Sequence, residues 1–276
     1  MSHDIAVIGG GPAGLSAAIN ARVRNKTVLV VGNDYRESPL YRAERVDNYL
    51  GMPGLTGAQL LDAYQRHAED MGVEFRHGRV LNIMPMEHTC YLSIGTDMEE
   101  AGAVILATGV SRGKKFPGEA EFLGRGVSYC ATCDKQVVVV GLAPDAAEEA
   151  NFLQGLGCRV TYVSGKAPEG LDPAIAYVRA TKLEIVGEAS VTALRAGDEE
   201  IPCQCVFLLR HAIPPTDLLP ALELENGYIR VDREMRTNLP GVFAAGDCTG
   251  LPLQLSKAAG EGLIAGQKAA EYLDGL

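Results

Sequence analysis

Apolar positions along this chain gather in short unbroken runs. Ile5-Ala-Val-Ile8, Thr27-Val-Leu-Val-Val31, Ala103-Val-Ile-Leu106, Val137-Val-Val-Val140 and Gly241-Val-Phe-Ala-Ala245 each read as a buried strand. Between the first two, Leu15-Ser-Ala-Ala-Ile-Asn-Ala-Arg22 has the small and apolar residues of a helix packed on a sheet. Strand, turn, helix and strand follow one another at βαβ spacing. The same order starts again at Val137, with Arg159-Val-Thr-Tyr-Val163 as the next strand. The pattern predicts an α/β protein. A length of 276 residues and 47% hydrophobic composition allow a substantial core and fit two modest domains better than one.

The first turn of this pattern carries chemistry. Gly9-Gly-Gly11-Pro-Ala-Gly14 supplies a tight turn at Gly9, close backbone approach to a pyrophosphate at Gly11 and close helix–strand contact at Gly14, with a helix N-terminus facing the negative charge. The motif alone is weak evidence, but here it follows a strand, opens a helix and precedes a second strand, so a dinucleotide site is expected. The second strand ends in Gly32-Asn33-Asp34, so an acidic ribose ligand is either Asp34, one or two residues late, or absent. Two later runs end in turns of their own, Ala107-Thr108-Gly109 and Gly246-Asp247. With Gly9–Gly14 these turns resemble the FAD domain of the flavin-dependent disulfide reductases, which implies that Asp247 accepts a hydrogen bond from the flavin's ribityl chain; the other reading is a cap of a helix beginning around Leu253.

A formal charge of −10 and an isoelectric point near 5.0 leave nothing to neutralise a phosphate backbone, so nucleic acid is not an expected partner. No apolar run approaches a membrane span, and Met-Ser-His-Asp leads straight into a strand rather than an export signal, so a cytoplasmic protein is expected. Seven cysteines in such a chain point to reduced thiols, with any paired ones catalytic. Cys130-Ala-Thr-Cys133-Asp134 is the pair to consider: two thiols at a helix start, where the dipole lowers a thiol pKa and Asp134 can move a proton. The alternative is half of a zinc site, which needs further ligands. Cys203-Gln-Cys205 is spaced for neither a zinc knuckle nor convergence on one metal from an alternating strand, so no metal is expected.

Together, Gly9–Gly14, Val46-Asp-Asn-Tyr49, Ala107-Thr-Gly109, Cys130-Ala-Thr-Cys-Asp134, Leu224-Glu-Asn-Gly-Tyr-Ile229 and Gly241–Asp247 resemble, in order and from end to end, the low-molecular-weight thioredoxin reductases. The resemblance implies two Rossmann-like three-layer domains. A discontinuous FAD domain would span residues 1–111 and 209–276, with a dithiol domain, 112–208, inserted into it. It implies FAD contacts at Gly9, Gly11, Pro12, Ala13 and Gly14, at Gly32, Asn33, Asn48 and Val80, at Ala107, Thr108 and Gly109, and at Gly246, Asp247, Gln254 and Leu255. It implies that Cys133 exchanges electrons with the flavin, Cys130 attacks the disulfide of thioredoxin, and Asp134 serves as acid or base. Family members are generally homodimers.

Members of that family carry a second glycine turn, for NADPH, and then an arginine-rich segment for its 2′-phosphate. Here the turn reads Gly141-Leu-Ala143-Pro144-Asp145-Ala146. Ala143 puts a methyl where the backbone meets the pyrophosphate, Pro144 removes an N–H donor and Asp145 adds negative charge. After the next strand stands only Lys166, a poor substitute for bidentate arginines. An intact dithiol beside a spoiled nucleotide turn resembles the ferredoxin-dependent flavin thioredoxin reductases, and Lys257-Ala-Ala-Gly-Glu-Gly262 is in keeping with them. An acidic ferredoxin needs a local basic patch, from Arg112, Lys114, Lys115 and Arg125 or from Arg42 with Arg45. Three alternatives remain: NADPH or NADH used through a remodelled site, a dithiol oxidase that passes electrons to oxygen, and a flavin-binding redox sensor.

Overall fold

The computed structural model describes all residues except 1, 39, 110–115, 120, 123–124, 129–135, 143–145 and 210–214. Its contacts divide the chain into two compact units, Met1–Ser111 with Ala212–Leu276, and Arg112–His211.

The first unit begins with β1 (Ser2–Ile8), α1 (Pro12–Val23) and β2 (Val28–Gly32), then α2 (Gly57–Asp70), β3 (Glu74–His77), β4 (Val80–Pro85), β5 (Cys90–Ile94) and β6 (Asp97–Leu106). The sheet order is β3-β2-β1-β6-β5-β4. β1, β2 and β3 run parallel, as do β1 and β6, whereas β4, β5 and the first half of β6 form an antiparallel meander. The apolar runs read from the sequence are the sheet's centre: Ile5, Val7, Val31, Val104, Ile105 and Leu106 are all fully buried. α2 starts on a capping box in which Thr56 and Gln59 each bond the other's backbone N–H, at 3.1 and 2.9 Å.

The second unit holds β7 (Val127–Ser128), β8 (Gln136–Gly141), α3 (Ala146–Gly155), β9 (Arg159–Ser164), β10 (Ala176–Arg179), β11 (Leu183–Gly187), β12 (Val191–Ala196), β13 (Glu199–Pro202) and β14 (Cys205–Leu209). A parallel sheet in the order β10-β9-β8-β14-β7 is covered on one face by α3 and on the other by the antiparallel sheet β11-β12-β13, giving three layers. Parallel neighbours usually need a helical crossover, yet residues 165–175, between β9 and β10, contain no helix. Leu171 and Ile175 pack on α3's side of the sheet in its place, and Asn151 of α3 anchors the crossover through Gly170 O and Asp172 N, both at 2.8 Å.

The chain then returns to the first unit through α4 (Pro215–Leu218), β15 (Leu224–Glu225), β16 (Tyr228–Ile229), β17 (Val242–Ala244) and α5 (Leu255–Asp274). β17 pairs with the last three residues of β6, and α5 lies across α1. That crossing is close because α5 presents glycines. A side chain at Gly262 would begin 2.1 Å from Ala13 O, and one at Gly266 would begin 2.2 Å from Ala17 O. Ser16 Oγ donates to Ala259 O at 2.7 Å along the same seam.

Candidate functional site

The turn Gly9–Gly14 works as a backbone device. Gly9 sits at φ +114°, and a side chain there would begin 2.3 Å from Ala107 O; one at Gly14 would begin 1.9 Å from Gly9 O. At Gly11, by contrast, a side chain would meet nothing, so this backbone faces open space. Gly11 caps α1 with no side-chain hydrogen bond, Pro12 occupies the first turn, and no acid lies there. Gln254 begins α5 in the same way, with no side-chain cap and no acid in the first turn. The long helix therefore starts at Leu255, two residues later than expected from sequence.

Both helix starts open into one cavity of about 320 Å³. Of the expected cofactor contacts, Gly11, Pro12, Ala13, Asn48, Ala107, Gly109, Asp247, Gln254 and Leu255 line it. Gly9, Gly14 and Gly246 lie behind that lining as packing and turn glycines, and Gly32 adjoins Gly10, where a side chain would begin 3.3 Å from Gly10 N. Asn33 follows β2 half-buried, outside the lining, and Val80 is buried at the start of β4, paired with Ile94. Leu40, Ala245, Leu253 and Ala258 also line the cavity and were not expected as cofactor contacts; Ala245 and Ala258 lie inside quoted motifs, but Leu40 is a plain apolar residue without a motif to mark it.

Thr108, between the lining residues Ala107 and Gly109, is not itself part of the lining; its Oγ1 is buried with no hydrogen-bond partner among the described residues. Asn48 donates to Gln254 Oε1 at 2.8 Å, joining the loop before α2 to the start of α5. Asp247 opens a short 3₁₀ turn, Asp247–Thr249, rather than capping α5. Asp34 is the N-cap of another such turn, accepting from Arg36 N at 2.9 Å, and this commits one carboxylate oxygen locally. Two unopposed helix N-termini beside a glycine backbone suit a pyrophosphate, and the apolar remainder with a few polar groups suits a flat ring system. These residues fit FAD.

In the second unit the glycine turn has another occupant. A side chain at Gly141 would begin 1.8 Å from the Tyr162 hydroxyl, and Tyr162, reaching across from β9, is buried. The end of β9 is tied into its own bonds. Ser164 Oγ donates to Lys166 O at 2.6 Å, Tyr177 OH to Ser164 O at 3.3 Å, and Arg179 Nε to Gly165 O at 3.1 Å. Arg179 is thus a cation at this corner that the sequence reading, attentive only to Lys166, did not place there.

Cys130, Cys133 and Asp134 lie outside the described residues, as do Ala143, Pro144, Asp145, Arg112, Lys114 and Lys115. Cys203 and Cys205 pack into the cores on opposite faces of the parallel sheet, and no cluster of three metal-ligating side chains occurs among the described residues. Burial pushes the thiols of Cys90 and Cys248 up to about 11 and that of Cys203 to about 12. Of the expected basic patches, Arg45 is held by both oxygens of Asp47 at 2.8 and 2.9 Å, while Arg125 bonds Glu121 O and stacks over Phe122.

The family model for pyridine nucleotide-disulphide oxidoreductases matches residues 3–262. The chain belongs to this family. Among pyridine nucleotide-disulphide oxidoreductases it is 35% identical to the thioredoxin reductase of Treponema pallidum, with 99% of this chain and 98% of that one aligned. A ferredoxin-flavin thioredoxin reductase from Clostridium acetobutylicum superimposes with a TM-score of 0.92 at 42% identity, covering 100% and 99% of the two chains. A thioredoxin reductase from Gloeobacter violaceus does so with a TM-score of 0.85 at 32% identity, covering 99% and 95%. These likenesses extend over both units.

Proposed function

We propose that this protein is an FAD-containing thioredoxin-disulfide reductase that takes its electrons from a reduced ferredoxin rather than from a pyridine nucleotide. Full-length kinship with thioredoxin reductases supports the reaction, and the cavity between the starts of α1 and α5 supports the cofactor. The choice of donor is carried by the turn after β8, where Ala143, Pro144 and Asp145 replace the glycine and the N–H that meet a pyrophosphate, beside the full-length likeness to a ferredoxin-flavin thioredoxin reductase. The first glycine of a nucleotide turn makes the tight turn, and the second lets the backbone approach the pyrophosphate. Here the space beside the first, Gly141, is filled by a phenol from the neighbouring strand, and Ala143 stands at the second.

When bound, FAD can accept electrons singly and pass them on as a pair. The remaining steps belong to the chain. The Cys130 thiolate attacks the thioredoxin disulfide, one thioredoxin sulfur leaves as a thiol, and a mixed disulfide forms. Cys133 then attacks Cys130, releasing the second thioredoxin thiol and closing the Cys130–Cys133 disulfide. Asp134 supplies the proton to the departing sulfur. The inserted unit, residues 112–208 by the sequence reading, carries this dithiol, and the flanking segments carry the flavin.

A cytoplasmic homodimer completes the proposal. No helix among the described residues is long and apolar enough to cross a membrane.

The test is anaerobic: flavin absorbance is followed after adding NADPH, NADH or photochemically reduced ferredoxin in separate cuvettes, with thioredoxin added afterwards. Bleaching by ferredoxin alone, reversed by oxidised thioredoxin, is the expected result. Bleaching by NADPH at a catalytically useful rate would overturn the choice of donor. Peroxide formation in air without thioredoxin turnover would favour an oxidase. Cys133→Ser should keep its FAD and lose disulfide reduction.

A further inference from the structure

The turn that carries Asp247 is held from behind by an ion pair that the flavin reading does not use. Lys257 Nζ donates to Gly246 O at 2.8 Å and to Thr249 Oγ1 at 3.0 Å, and lies 3.1 Å from Glu261 Oε2. The same Glu261 oxygen accepts Gly246 N–H at 2.9 Å and the Thr249 hydroxyl at 2.7 Å. Both side chains are largely covered, at 15% and 18% exposure. One residue of the turn, Gly246, therefore has its N–H and its C=O gripped by opposite charges on successive turns of α5.

The grip has something to hold. Gly246 stands at φ 87°, ψ −150°, a region open in practice only to glycine, which persists where the surroundings enforce it. On the far side of Asp247, buried Cys248 donates its thiol hydrogen toward Leu106 O and Ala245 O at 3.4 and 3.3 Å. Asp247 is thus flanked by two fixed neighbours while it lines the cavity. A surface pair of this spacing contributes little, but a covered pair with further hydrogen bonds is costly to break and fixes geometry.

We infer that Lys257 and Glu261 are positioning residues: a latch that sets the Gly246 peptide, and through it the Asp247 carboxylate, for binding the flavin cofactor. This rests on reading the cavity as a flavin site. Lys257→Met removes the charge and both donor bonds while keeping the alkyl stem. Glu261→Gln removes the charge opposite Lys257 but keeps an acceptor for Gly246 N–H, so it is the milder test of the same latch.

Three measurements on the full chain decide the matter: the FAD dissociation constant, the visible circular dichroism of bound FAD, and hydrogen exchange of the amides of residues 246–249. Lys257→Met should weaken FAD binding at least tenfold, alter the visible band and speed exchange in the turn. Glu261→Gln should weaken FAD binding less than Lys257→Met does, because an acceptor for Gly246 N–H remains, and should also speed exchange in the turn. A role confined to stability would lower the unfolding temperature and leave the dichroism of bound flavin unmoved, which would overturn the latch. Wild-type affinity in Lys257→Met would overturn it too. A parent protein that takes up no FAD, with exchange in the turn still accelerated by Lys257→Met, would overturn the flavin reading and support the latch.

Discussion

Ala13 and Gly262 meet backbone to backbone: the Ala13 carbonyl occupies the space in which a side chain on Gly262 would begin, 2.1 Å away. This contact lets the starts of α1 and α5 open into one cavity. Gly262→Ala forces a methyl against a backbone oxygen that cannot swing aside. A loss of about 1–3 kcal/mol is expected, the range for overpacking, together with reduced FAD content. Gly260→Ala, two residues earlier where a side chain meets nothing, should be neutral or stabilising by up to about 1 kcal/mol. Thermal unfolding and the flavin-to-protein absorbance ratio of both variants check the pair.

Thr108 makes opposite predictions for the protein with and without cofactor. Its buried hydroxyl lacks a partner among the described residues, so Thr108→Val should leave the flavin-free protein as stable or slightly more so. If the hydroxyl bonds FAD, the same change should cost about 0.5–1.5 kcal/mol of binding, roughly threefold to tenfold. Denaturant unfolding of stripped protein and fluorescence titration with FAD separate the two effects.

Gly141 and Tyr162 should behave as one unit. Gly141→Ala collides with the phenol hydroxyl, 1.8 Å from the new methyl, and should destabilise markedly. Tyr162→Leu alone should also cost stability, because it opens a void. In the double variant the clash is gone, so the two losses should fall short of adding. Strict additivity in a double-mutant cycle would mean that the glycine is kept for another reason, such as a phosphate.

Alkali should expose the buried thiols. Burial holds Cys90 and Cys248 near 11 and Cys203 near 12 in the folded chain, above the ordinary 9.0. The unfolded chain gives up these protons first, so the stability they contribute is whole below about pH 9 and drains away as pH climbs toward 11 and 12. Unfolding midpoints measured from pH 8 to 11 should fall, and replacing Cys248 by Ala should flatten the fall.

Much of this was legible in the order of residues. The strands at Ile5, Val28, Val104 and Val137 are continuous apolar runs, and Gly9 and Gly14 announce a turn because only bare backbone fits there. The cavity's apolar lining was only partly legible: Leu40 carries no motif, and nothing in the sequence places it beside Ala258. Asp34 stayed open for a different reason, since a carboxylate after a strand can cap the next turn as readily as it can bind a ribose, and here it does cap one. Tyr162 was hidden because a tyrosine in an apolar strand reads as core until its hydroxyl is seen on Gly141.

The insertion also sets an order of events during synthesis. Gly11 and Ala258 line the same cavity, so its two walls leave the ribosome at nearly opposite ends of translation. The segment Arg112–His211 is contiguous and forms one compact unit, so all of its residues have emerged before α5 is made. Meanwhile the end of β6 waits with one edge bare until β17 arrives to pair with it. Nascent chains truncated before α5 should therefore hold no flavin, and a stalled ribosome would leave an apolar strand edge open to the wrong neighbour.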